Sequence, residues 1–199
     1  MAAIDSISKR GFSDTTLKHV TQKAKLSHGV VNYHFESKEA LYNATLGYLA
    51  KEHYELWVES QQKVGDDPAE QLAAIVEADF DKKVCTSKKL AVWFAFWGQA
   101  KYRPNYLKIH SKYDEERFLE IGRLCETLIE QGGYTKLDSN EAARTIESFI
   151  DGLWLSLMLY PSDAKRIQCR NDCFRTLGLL FPKHFENYEM LPGRPCDRN

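Results

Sequence analysis

Seven aromatic residues, Trp93, Phe94, Phe96, Trp97, Tyr102, Tyr106 and Tyr113, fall within 21 positions of this 199-residue chain. Trp93 and Trp97 stand four apart, Glu147 and Asp151 likewise, and Trp154 follows Asp151 by three. On a helix each of these spacings shares a face. Ring faces beside a carboxylate suit a quaternary ammonium, whose charge offers no N–H to a conventional acceptor and is held instead by ring quadrupoles. The same rings at helical spacing also serve as ordinary core. The spacing alone leaves both readings open.

A second set lies near the N-terminus, where two short runs, Leu17–Ala24 and His28–His34, are joined by Lys25 and Leu26 and preceded by Thr16 and Ser27. Two short helices in a tight turn, the second opened by small polar residues, form a helix-turn-helix. Leu17, Val20, Ala24, Val30, Val31 and Phe35 are expected to pack inward against Ile4, Ile7 and Phe12. Lys18, Lys23, Lys25, His28, Asn32, Tyr33 and His34 are then left outside. Residues 1–40 carry six Lys and Arg against four Asp and Glu, a net +2, against −3 for the remainder. The sign of that asymmetry is the one phosphate contact requires.

Other chemistries are excluded by what is missing. The sequence has no glycine-rich phosphate loop, GxSxG elbow or HExxH pair. His110 and His184 stand alone in it, so no catalytic residue is assigned and no cofactor is expected. Cys85, Cys125, Cys169, Cys173 and Cys196 include no CxxC pair. Cys169 and Cys173 could share a helix face, but two thiols without a neighbouring His do not make a zinc site. Reduced thiols and no metal are expected. Hydrophobic residues make up 43% and charged residues 28%, with a formal charge of −1, which argues against wholesale disorder. No apolar run approaches the roughly 20 residues of a membrane span, and the first ten residues lack a signal-peptide core. A cytoplasmic protein without a membrane partner is expected.

The elements that must position these residues read as helical throughout. Leu outnumbers Val by 21 to 8 and strand-like alternation is missing. About nine helices are expected: 2–10, ending at Gly11, then 17–24, 28–34, a long one from Ser37, 69–84, 88–101, 105–131, 140–160 and 163–181. Val64-Gly-Asp-Asp-Pro68 is the clearest linker.

The fuller string Gly11-Phe12, Thr15-Thr16-Leu17, Ser27 to Phe35, and Ser37-Lys38-Glu39-Ala40-Leu41 closely resembles the DNA-binding domain of the TetR family of bacterial transcriptional regulators. The resemblance implies a role for each matched position. Thr16 matches the residue whose hydroxyl and main-chain amide hold a phosphate. Ser27 and His28 open the recognition helix, and Gly29 lets it approach DNA closely. Asn32 has the amide that can read adenine or reach a backbone oxygen. Tyr33 and His34 match positions that touch phosphates or base edges, and Lys38 matches a phosphate contact opening the next helix. The chain departs from the family in starting close to the end of its first helix, without the usual basic arm.

Leu90 to Ala100, Arg103-Pro104, Tyr113 to Arg117 and Ile150 to Leu155 look like the C-terminal domain of the BetI-type branch of that family, which controls choline uptake and its oxidation to glycine betaine. By that likeness Trp93, Trp97, Tyr113, Asp151 and Trp154 are the pocket candidates, and choline or a related quaternary ammonium is the expected effector. The expected organisation is all-α. Residues 1–45 form the helix-turn-helix domain, 46–181 a ligand-binding and dimerisation domain, and 182–199 a loosely packed tail. The implied partners are a palindromic double-stranded operator, a small-molecule effector, and a second copy of the chain meeting residues 140–160 and 163–181. Two alternatives stay open: a regulator answering another cationic or apolar molecule, and an effector-binding protein with an impaired DNA head.

Overall fold

The computed structural model describes residues 1–186, and the side chains of His28, Asn32 and Asp163 lie outside the description. Among the described residues every regular element is a helix. They are α1 (Ala2–Asp14), α2 (Leu17–Ala24), α3 (His28–His34), α4 (Lys38–Gln62), α5 (Pro68–Asp79), α6 (Ser87–Ala100), α7 (Pro104–Gly132), α8 (Ser139–Leu159), α9 (Asp163–Leu180) and α10 (Pro182–Phe185).

The starts follow the caps. Thr16, Ser27, Thr86, Asp138 and Ser162 each accept the amide of the residue three positions on. Asp67 accepts from Ala69, with Pro68 in the first turn of α5. Each side chain satisfies an amide that the helix itself leaves without a partner. The turn between α2 and α3 closes with Lys25 in the left-handed region (φ 56°), its amide donating to Gln22 and that of Leu26 to Thr21. These are the paired bonds of a Schellman motif.

One expectation is extended and two are corrected. The helical backbone of the first element breaks at Gly11 as expected, but a further turn follows the break. The chain kinks there at φ 78°, a conformation open to glycine, and resumes for a final turn to Asp14. The fifth helix ends at Asp79 rather than at residue 84. Arg166 donates to the Phe80 carbonyl at 2.5 Å, supplying a partner that continued helix would otherwise provide. The segment assigned to a loose tail begins with a packed turn, α10, whose Phe185 is buried. Lys183 reaches back to the Gly132 carbonyl at 2.5 Å. The rest of that segment, residues 187–199, lies outside the described residues.

The chain divides into two compact units, Met1–Glu52 with Thr86–Asp114, and His53–Cys85 with Glu115 onward. Helices α4 and α7 each contribute to both. In the first unit α1 packs against α6 and α2, over a core that includes Ile4, Ile7, Val20, Val31, Leu46, Phe96 and Tyr106. In the second, α9 packs against α5, α8 and α10, over Leu72, Ile75, Val76, Leu124, Ile146, Ile150 and Leu177. Cys85, Cys125, Cys169 and Cys173 are buried free thiols there. Burial pushes Cys85 and Cys125 up to about 12, so both remain protonated. Cys196 lies outside the described residues.

Candidate functional site

In the head, α3 turns Val31 into the core and leaves Gly29, Val30, Tyr33 and His34 outside. Tyr33 is 86% exposed. Val30, expected inward, is 42% exposed. Adjacent helical residues point about 100° apart, so the residue that fills the core slot excludes its neighbour. Gly29 has no internal reason to be glycine. A Cβ there would meet only the Ser27 hydroxyl, at an ordinary 3.9 Å. Gly29 stands in the first turn of α3, and the space its missing side chain leaves lies on the outer face. His28 and Asn32 share this helix, and Ser27 is exposed as its cap.

Thr16 is exposed and reciprocally capped. Its hydroxyl oxygen accepts the His19 amide at 3.3 Å, while its own amide donates to His19 Nδ1 at 3.3 Å. The amide expected to hold a phosphate is therefore engaged within the chain, whereas the hydroxyl proton can still be donated. Lys38 is half-buried, with Nζ donating to the Ser13 carbonyl at 2.8 Å and lying 5.3 Å from the Tyr42 ring centre. An ammonium has three protons, and this bond uses one.

Around Gly11 the head is bolted to α6 and α7. The Phe12 ring lies 4.5 Å from Tyr42, 5.6 Å from Phe96 and 5.8 Å from Tyr106. The Tyr42 hydroxyl donates to the Phe12 carbonyl at 2.8 Å. Burial pushes that hydroxyl up to about 12, which keeps it a donor. The Arg103 guanidinium lies 5.4 Å from the Phe12 ring centre, 5.7 Å from that of Tyr106, and pairs with Glu39.

The aromatic candidates divide between the units. In the first, Trp93 is buried and Trp97 half-buried, with ring centres 6.3 Å apart. His110 meets Trp93 edge-on at 5.1 Å and Trp97 at 5.7 Å. The Trp97 indole donates to His110 Nε2 at 3.1 Å, and His110 Nδ1 faces the Asp114 carboxylate. An indole N–H only donates, so His110 Nε2 is the accepting nitrogen of this contact. His110, solitary in sequence, is thus the centre of this cluster. Phe94 adds an edge contact to Trp97 at 4.9 Å. Tyr113 is half-buried, with the Lys112 ammonium 5.4 Å from its ring centre.

In the second unit Trp154 is buried on α8, while Asp151, three residues earlier, is exposed. The Trp154 indole donates to the Asp79 main-chain carbonyl at 3.0 Å and its ring lies 5.4 Å from His53. The carboxylates of the second unit's network are Asp79, which is buried, and Glu147, which is half-buried. Arg117 donates to Asp79 at 2.6 Å and to Glu147 at 2.6 Å, and His53 Nε2 lies 2.7 Å from the other Asp79 oxygen. Burial raises Glu147 above its ordinary value, against the opposing pull of Arg117. Nothing in local spacing signals this set, because its members come from α4, α5, α7 and α8.

Comparison with known proteins places both halves. The model for bacterial regulatory proteins of the tetR family matches residues 1–45, and that for the C-terminal domain of BetI-type transcriptional repressors matches residues 68–182. The chain belongs to the TetR family. An HTH-type transcriptional regulator BetI from Stenotrophomonas maltophilia is 30% identical over 154 residues, covering 77% of this chain and 76% of the relative. Its counterpart from Burkholderia thailandensis is 29% identical over 166 residues, 82% of this chain and 83% of that protein. A transcriptional regulator from Pseudomonas aeruginosa PAO1 shares the fold with a TM-score of 0.76 at 24% identity, over 93% of this chain and 89% of its own. A regulator from Saccharomonospora viridis, solved in complex with choline, also reaches 0.76, at 18% identity over 88% and 93% of the two chains. This TetR-family protein is accordingly a DNA-binding transcriptional regulator and not an enzyme. Among the described residues no helix is long and apolar enough to cross a membrane.

Proposed function

We propose that this chain is a BetI-like repressor that binds a palindromic operator as a homodimer and releases it on binding choline or a related quaternary ammonium. The observation that carries the DNA half is the outer face of α3, where Gly29 opens space beside exposed Tyr33 and His34. Ser27, His28, Asn32, Tyr33 and His34 are the groove contacts, while the Thr16 hydroxyl and the remaining Lys38 protons take phosphates. The effector half is supported by the Trp93–Trp97–His110 cluster and by Trp154 beside its carboxylate network, with Tyr113 and Asp151 as flanking candidates. The choline-bound fold neighbour points the same way.

Effector action follows from packing. Trp93 and Trp97 ride on α6, which also carries Phe96 against Phe12. A ligand that prefers one setting of α6 biases the head through that contact, in proportion to its differential affinity for the two settings. The dimer surface is the outer face of α8 and α9, where Leu155, Leu159, Tyr160, Ile167 and Leu179 are exposed. Anisotropy titration of duplex DNA from upstream of the protein's own gene tests the reading. Operator affinity should fall with salt and with added choline. Sedimentation should show a dimer at micromolar concentration. A stable folded monomer, or an operator affinity indifferent to choline, would overturn the dimer or the choline assignment respectively. A second reading, an effector that is not quaternary, is favoured by one observation: the group at the centre of the first cluster is a hydrogen-bonding imidazole rather than a bare carboxylate.

A further inference from the structure

From His28 to His34 the reading helix carries no Lys, Arg, Asp or Glu. Guanine is best recognised in the major groove by the paired donors of Arg or Lys, and cytosine by a carboxylate acceptor. Neither group is available on this helix. Lys25 precedes it, and the nearest Lys after it, Lys38, is tied to the Ser13 carbonyl. What α3 does present is an exposed branched apolar side chain, Val30, next to the residue whose missing side chain lets the helix approach most closely. Thymine alone among the bases shows a methyl group in the major groove. Water is a poor neighbour for Val30, and a base methyl is a good one.

We propose that Val30 reads the C5 methyl of a thymine, so that each operator half-site carries an A·T pair beneath Gly29 and Val30. This rests on α3 entering the major groove. Val30 makes an apolar contact there, while the bases on either side are left to the polar groups of the same helix. Specificity then lies in shape and methyl contact more than in charge. The outward turn of Val30, with Val31 taking the core, is the arrangement such a contact needs.

The test uses the full chain and duplexes enriched by it from a random pool. Each thymine of the enriched half-site is replaced in turn by uracil, which removes only the methyl. Wild type should show one sensitive position per half-site, with binding weakened about fourfold for one and about fifteenfold for both, the worth of one buried methyl at each. Val30→Ala keeps a good helix former at an exposed site and should bind thymine and uracil duplexes equally. An enriched sequence with no methyl-sensitive thymine, or sensitivity that persists in Val30→Ala, overturns the assignment to Val30 alone. A pool that yields no enriched sequence overturns the operator reading and this assignment with it.

Discussion

Replacing Arg117 by Met removes a guanidinium that donates to two carboxylates while keeping a stem of similar length and apolar character. The side chain is 8% exposed, against 1% for Asp79 and 23% for Glu147. Without it Asp79 retains His53, at 2.7 Å, but Glu147 loses its positive neighbour. Breaking one end of a buried ion pair typically costs about 3–5 kcal/mol, because the stranded charge remains desolvated. In a chain of this size 1 kcal/mol shifts the melting temperature by roughly 2–4 °C, so Arg117→Met should melt roughly 6–20 °C lower at neutral pH. Charge makes a further demand. Glu147→Gln with Arg117→Met should recover a substantial part of the loss, since it removes the carboxylate left without its guanidinium while Asp79 keeps His53. Thermal melts followed by circular dichroism on wild type, single and double variants measure both quantities. A single variant melting within about 2 °C of wild type, or a double variant less stable than the single, would refute the view that Arg117 is held by electrostatics.

Trp97→Ala should weaken choline binding about ten- to thirtyfold, since a desolvated cation–π contact is worth up to about 2 kcal/mol. Calorimetric titration beside a thermal melt checks it, and unaltered affinity in a folded variant removes Trp97 from the site. Lys38→Ala should weaken operator binding and flatten the slope of log K against log salt by about one. An unchanged slope would leave the ammonium with only its Ser13 and Tyr42 contacts. Glu147 has a folded-state pKa raised above 4.5 by burial, so the folded state holds its proton more tightly than the unfolded chain. Wild-type stability should therefore fall, relative to Glu147→Gln, as pH rises from about 4 through the raised value, and level off above it. Melting curves across that range showing a constant gap would mean that Arg117 keeps Glu147 ionised throughout.

Much of the fold is written locally. Helices α2 and α3 begin and end where expected because Thr16 and Ser27 supply caps that act within three residues. The break after α4 follows from Gly65 and Pro68, whose backbone preferences need no tertiary help. The end of α5 was hidden, since it depends on Arg166 reaching Phe80 from 86 residues away. His110 looked solitary because its partners Trp93 and Trp97 sit on another helix. The pattern of apolar residues placed both Val30 and Val31 inward, and only packing decides which of two neighbours takes a single slot. Helical spacing points to Asp151 as the carboxylate near Trp154, whereas buried Asp79 and half-buried Glu147 are the ones that meet Arg117 across helices. Spacing within one helix cannot reveal such convergence.

The bolt at Phe12 bears on how regulators of this kind can be recombined. A head excised as residues 1–45 would leave behind Phe96, Tyr106 and Arg103, stripping Phe12 of three partners and Glu39 of its guanidinium. Phe12 is half-buried, so uncovering its ring costs at most about 1.5–3 kcal/mol, still a sizeable share of the stability of a small domain. The portable cassette is the N-terminal helices together with α6 and the first turns of α7, which are distant in sequence and continuous in space. Hybrids joined at residue 45 should inherit operator specificity yet express poorly or ignore their ligand. If the proposed effector cluster on α6 is right, hybrids that carry the discontinuous cassette should keep both, because Trp93 and Trp97 then share one piece of core with the N-terminal helices.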